Sequence, residues 1–135
     1  MMEMVVDLVA DALRQARLVR KCLDAKLISL LEPRHRTFAT DISRRLAQQD
    51  ILNEAFLRDL EAFLAVLDKV IEGGTTLVWR GHEHDPDSGY TMPVRSDDAN
   101  AILFMQGEIV DLVSAIEGGL DGAKAYVIAN SFFDV

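Results

Sequence analysis

The spacing of apolar residues predicts helices along most of the chain. In residues 3–31 they recur at Met4, Leu8, Ala12, Ala16, Val19, Leu23, Leu27 and Leu30, the three-and-four interval that lines up one helix face. Val5, Val6, Val9, Leu13, Leu18 and Ile28 widen that face, so the pattern predicts one long first helix, covered on more than one side and ended by Pro33. Phe38, Ile42 and Leu46, then Phe56, Leu60, Phe63, Leu67 and Val70, carry helical spacing through residues 37–71. The phase weakens at Gln48, Gln49 and Asp50, which leaves open one helix or two, the second capped by Asp50 and beginning at Ile51. Gly73 and Gly74 are expected to close this segment in the left-handed conformation in which many helices end.

The period then changes. Residues 75–80 and 90–95 are β-prone and flank the polar, turn-rich residues 81–89, a hairpin pattern. Ser96 followed by Asp97 and Asp98 is a helix start, because a serine hydroxyl accepts from free amides and carboxylates suit the positive end of the helix dipole. Ile102, Met105, Ile109, Leu112, Val113 and Ile116 supply a buried face up to Glu117, with Gly118 and Gly119 as the expected stop. Residues 122–133 fit a helix through Ala123, Tyr126, Val127 and Asn130, or a third strand through AYVIA. The expected fold is mainly α, a bundle of three to five helices with a small β-hairpin insertion near residues 75–95, as a single helical domain over residues 1–135. The alternative is an α+β fold with a third, C-terminal strand.

Composition adds a surplus of apolar residues. Of 135 residues, about 54% are apolar or glycine, against roughly 45–50% in an ordinary soluble domain. An unusually full core absorbs such a surplus, or an interface does, and a homodimer burying the first helix or the Phe56, Leu60, Phe63 and Leu67 face is expected. The first residues lack the basic start and cleavage site of a secretory leader, and no stretch approaches the roughly 20 uninterrupted apolar residues of a membrane span. Cys22 is the single cysteine, which excludes an internal disulfide and fits a reducing compartment. A cytoplasmic protein is expected.

Charge is unevenly placed. The net charge is −8, yet residues 14–45 carry a balance of +6, against −3 in residues 1–13 and −11 in residues 46–135. Arg14, Arg17 and Lys21 share a helix face, and Arg34 and Arg36 follow soon after; these five are the candidate partner-binding residues. Nucleic acid is not the expected partner, because the acidic remainder repels it at long range and the basic stretch holds only Phe38 as an aromatic.

Candidate chemistry is confined to His82, Glu83, His84, Asp85 and Asp87. His82, His84 and Asp85 have the donor types of a divalent metal site. The His-x-His-x-Asp run after a strand is similar to the metal motif of the metallo-β-lactamase superfamily. It lacks that motif's final histidine, Pro86 and Asp87 stand where it would continue, and the chain is too short for that family's layered fold. Asp85 and Asp87 also alternate like calcium ligands, but Gly89 occupies the fifth position of such a loop where a ligand is required. A solvated turn accounts for the same residues. With no phosphate-binding loop and no nucleophile motif, no cofactor is expected. The sequence reads as a non-enzymatic protein-interaction module of the adaptor, chaperone, inhibitor or immunity kind. A small metal-dependent hydrolase using His82, His84 and Asp85, or a nucleic-acid binder using residues 14–45, are the alternatives.

Overall fold

A computed structural model describes the backbone of residues 2–48, 50–82 and 85–131, and the side chains of residues 6–48, 50–81 and 87–123. Five helices and one antiparallel hairpin follow in the order α1 (Met2–Cys22), α2 (Ala25–Ser29), α3 (Pro33–Ala47), α4 (Glu54–Gly73), β1 (Thr75–His82), β2 (Asp85–Arg95) and α5 (Asp97–Ser131). The fold is a mainly α helical bundle with a small hairpin, as the periodicity indicated. Helix α5 packs on both α1 and α4, and α3 closes the bundle by touching α1 and α4 on the other side.

Each long helix contributes the apolar line read from its sequence. Ala12, Ala16, Val19 and Leu23 from the α1 segment meet Ala39, Ile42 and Leu46 of α3, Phe56, Leu60, Phe63 and Leu67 of α4, and Ile102, Met105, Ile109, Leu112 and Ile116 of α5 in one core. Removing a Leu, Ile or Phe side chain from water contributes about 1.5–3 kcal/mol, so this core dominates the stability of the bundle. Phe38 and Phe63 meet edge to face with centroids 5.5 Å apart. Polar ties sit at its rim. Gln15 Nε2 donates to the backbone oxygen and Oε2 of Glu108, joining α1 to α5. Arg45 pairs with Asp59 and Asp41 while its guanidinium lies 4.6 Å from the Phe56 ring centroid, joining α3 to α4.

Four boundaries differ from the sequence expectation. The first helix breaks after Cys22, because Asp24 takes an extended conformation and accepts from the Leu27 amide as the N-cap of α2. Pro33 then begins α3, where its missing amide proton costs nothing, and does not merely end what precedes it. Residues 37–71 fall in two helices, and the second is capped by Asn53, which accepts from Ala55 and Phe56 amides, not by Asp50. Ile51 is buried in the connection.

The fourth difference concerns glycines. Gly118 and Gly119 do not stop α5, which runs unbroken to Ser131 and so decides residues 122–131 for helix over strand; the expected segment beyond 131 lies outside the described residues. The space a Cβ would need at Gly122 is taken by Leu8 of α1, and at Gly119 by Leu52, whose Cδ2 would lie 2.8 Å away; at Gly118 a Cβ would only make ordinary contact with Leu8. Gly119 and Gly122 thus admit neighbours to the helix surface. Gly74 does cap α4, but at φ −95°, outside the left-handed region. A Cβ there would meet the Ala99 Cβ at 2.7 Å and Ser96 Oγ at 3.1 Å, so the close approach of the α5 start requires the glycine. Ser96 caps α5 as expected, its Oγ accepting from the Ala99 amide.

By length and apolar content, Asp97–Ala123 of α5 matches a membrane-crossing helix. One line of it, 33% of the apolar window, is buried in the bundle, and the exposed remainder carries Asp97, Asp98, Asp111, Glu117 and Asp121 among its apolar residues.

Candidate interaction surface

The hairpin extends further than its turn-rich sequence suggests. Thr75 pairs with Arg95, Thr76 with Val94, Leu77 with Pro93, Val78 with Met92, Trp79 with Thr91 and Arg80 with Tyr90. The register then shifts, so that His82 pairs with Asp85 and the extra residues lie on β2. Most of residues 81–89, expected as loop, is therefore strand.

Alternation divides the ribbon into two faces. Leu77 and Trp79 stand on one, beside Thr91 and Pro93. On this face the Trp79 indole covers Gly81 and Gly89 closely enough that neither position has room for a Cβ. Val78, Arg80, Tyr90, Met92 and Val94 occupy the other face. Both faces meet solvent: Leu77 is 71% exposed, Tyr90 62% and Trp79 49%, with Met92 and Val94 also exposed. A two-stranded ribbon is marginal by itself, and here the bundle touches it only near its base. The ribbon stem carries Arg80 and Arg95 and, in residues 75–82 and 88–95, no carboxylate.

A second exposed apolar area lies on α5. Phe104 is 67% and Val110 48% exposed, on the side of the helix away from Ile102, Met105, Ile109 and Leu112. By contrast Phe56, Leu60, Phe63 and Leu67, the face expected to meet another chain, are all fully buried within this one. Most of the exposed large apolar residues sit on the hairpin and the outer side of α5, with Val6 and Leu18 exposed on α1.

The basic residues divide between two places. Arg14, Arg17 and Lys21 are exposed on α1, Arg14 pairing with Asp11 at 3.2 Å. Arg17 and Lys21 make no ion pair among the described residues. Arg34 pairs with Glu32. Arg36 turns back on its own chain, donating through Nε to the Leu31 oxygen at 2.9 Å and through Nη2 to the Ser29 oxygen at 3.0 Å. It caps the open carbonyls after α2. Arg44 donates to Asp41, and this hydrogen bond holds the Asp41 carboxyl below its ordinary pKa, with the nearby charges of Arg44 and Arg45 adding to the effect. Part of the basic excess is thus spent locally.

Between α4 and α5 a groove of about 430 Å³ is lined by Glu54, Leu57, Arg58, Glu61, Glu117, Leu120 and Asp121. Four carboxylates surround its apolar floor. Among the described residues no three His, Cys, Asp or Glu side chains converge as metal ligands. His84 and the side chains of His82 and Asp85 lie outside the described residues. His35 lines a separate depression between the α3 start and the end of α4. Burial raises the pKa of the Cys22 thiol, with the charges of Glu108 and Asp24 acting in the same direction. Comparison with known families, with characterised proteins and with solved structures finds no match for the chain.

Proposed function

We propose that the chain is a protein-interaction module that docks through its hairpin and the outer side of α5, with the basic line on α1 steering encounter. One observation carries this reading: Leu77, Trp79, Tyr90, Met92 and Val94 are all exposed on a ribbon that the bundle leaves uncovered. Contiguous exposed apolar patches of this kind mark binding surfaces, and aromatic residues with methionine are enriched at interface centres. A ribbon with open edges and two apolar faces also suits insertion against another chain.

Site-directed photo-cross-linking in cells tests the proposal. A photoreactive phenylalanine analogue at position 90 or 104 should give a discrete adduct of defined mass, and the same probe at exposed Lys26 should give none. Adducts from position 26 alone, or from no position, reject the module.

A further inference from the structure

We infer that the outer edge of β1 is a docking edge, onto which an extended segment of another protein, carrying a carboxylate beside Arg80, is added as a third strand of the ribbon. The inference rests on the module reading above and names the kind of partner.

Pairing parity decides which backbone groups are open. In an antiparallel ladder, residues that bond across to the neighbouring strand alternate with residues whose amide and carbonyl turn outward. The Ser96 amide donates to the Gly74 oxygen at 2.9 Å, so the bonded positions continue through Thr76, Val78 and Arg80, opposite Val94, Met92 and Tyr90. Leu77 and Trp79 then turn their amides and carbonyls away from β2, as Thr91, Pro93 and Arg95 turn theirs away from β1. Pro93 agrees with this parity. It sits mid-strand opposite Leu77, and a residue without an amide proton fits a ladder where that proton would have pointed outward.

The two edges are thereby unequal. On β2 the outward donors Thr91 and Arg95 stand about 13 Å apart with none between them, at roughly 3.3 Å per residue, which blunts that edge. On β1 the row from Leu77 to Trp79 is whole. Among the described residues the sheet has two strands, and the contacts of β1 with α4 are few, so this row has no partner strand within the chain.

The side chains suit a strand as well. Trp79 lies along the ribbon over Gly81 and Gly89, where either Cβ would collide with its indole. The ring is thus seated before a partner arrives, with Leu77 exposed beside it. An added strand sets alternate residues beside Leu77 and Trp79 on one face of the ribbon, and beside Val78 and Arg80 on the other.

Charge states what that strand carries. Arg80 is exposed and makes no ion pair among the described residues, and β1 has no carboxylate of its own. A carboxylate on the incoming strand completes a cross-strand pair with it. A second copy does not supply one: its open strand offers another Arg80, and two chains of net charge −8 repel.

Amide hydrogen exchange on the full chain tests the edge, with two synthetic peptides of about seven residues that alternate valine and threonine, one with aspartate and one with lysine at its centre. In the free chain the Leu77 and Trp79 amides should exchange about tenfold faster than those of Thr76, Val78 and Arg80. The aspartate peptide at about 1 mM should slow Leu77 and Trp79 at least about threefold and bind about fivefold more tightly than the lysine peptide, a preference that Arg80→Glu reverses. Leu77→Pro removes an outward donor and no ladder bond, so it should abolish binding with circular dichroism unchanged, whereas Leu77→Ala keeps the amide and should retain most of the binding. The aspartate peptide N-methylated at the amides that face β1 should not bind the unaltered chain. Pro93→Val should open the other edge and let a second peptide bind. Leu77 and Trp79 amides that no peptide slows, binding indifferent to Leu77→Pro and to N-methylation, or protection of the same amides in a dimer of the chain alone overturns the inference. If position 90 then still cross-links in cells to a protein of another mass, the module stands and the strand edge falls; if it cross-links to nothing, both fall.

Discussion

Helix α4 and the hairpin that follows it are adjacent in sequence and both carry large apolar side chains, yet they dispose of them in opposite ways. Phe56, Leu60, Phe63 and Leu67 disappear entirely into the bundle, while Leu77, Trp79, Tyr90, Met92 and Val94 stay in contact with water. The difference lies in what surrounds each element. Helices α3 and α5 both pack on α4, whereas the ribbon's contacts with α4 and α5 are few. Apolar content therefore measures how much surface a segment must cover, and neighbours decide whether the cover comes from the same chain.

The contrast breaks most visibly if its two sides respond alike to truncation. Phe63→Ala removes a fully buried ring that also contacts Phe38, and should cost about 3–5 kcal/mol in urea unfolding. Leu77→Ala should cost no more than about 0.5 kcal/mol at concentrations where the chain is monomeric. Comparable losses would mean the ribbon is covered within the fold.

Glycines sharpen the same contrast at smaller amplitude. Gly74→Ala forces a Cβ onto Ala99 and Ser96, neither of which has a flexible end to move aside, and should destabilise by about 1–3 kcal/mol. Gly107→Ala meets no neighbour and should stabilise the monomer by up to about 1 kcal/mol through helix propensity. Thermal unfolding of both variants at low concentration distinguishes these signs.

Among basic residues the corresponding pair is Arg36 and Arg17. Arg36→Glu loses two hydrogen bonds to the Ser29 and Leu31 oxygens and should lower stability by about 1 kcal/mol, the exposure of the site keeping the effect modest. Arg17→Glu should leave the melting temperature unchanged and slow association if α1 steers a partner. Stopped-flow association and melting curves together read both effects.

The smallest effect is acid titration at the α3 surface. The folded-state pKa of Asp41 is depressed, so its contribution is fully present above the unfolded-state pKa and disappears as pH falls through the folded-state value. Solvent screening at this partly exposed carboxylate keeps the contribution small. Arg44→Ala should therefore lower stability slightly near neutrality, and the difference from the parent chain should close as pH falls below the ordinary aspartate pKa.

The apolar lines of all four long helices were legible in the sequence because they depend on local period alone. Helix ends were less legible. Leu23 and Leu27 preserve the apolar phase across the break between α1 and α2, so nothing in the spacing signals that Asp24 turns the chain. Gly118 and Gly119 read as a stop because a glycine looks the same whether it ends a helix or, as Gly119 does, makes room for Leu52, a residue far away in sequence. The hairpin was legible as an element, but its Asp, Ser and Gly residues concealed how far pairing continues. The candidate partner surface was read from charge, and the local pairs of Arg14 and Arg34, with the carbonyl contacts of Arg36, depend on side-chain geometry that composition does not encode. Exposure of the ribbon depends on the absence of an enclosing neighbour, a property no single segment carries.

The seating of Leu8 against Gly122 also orders events in time. Three glycines at 118, 119 and 122 make this stretch about 3 kcal/mol poorer as an isolated helix than an alanine stretch would be. Its helical form therefore depends on α1, which is synthesised well before it and must wait for residues made much later. Helices α3 and α4 can associate over a short loop in the interval, but the α1–α5 contact closes only after a long excursion of chain. The two ends of the described fold should accordingly zip together last in folding and part first in native-state hydrogen exchange, as one cooperative unit.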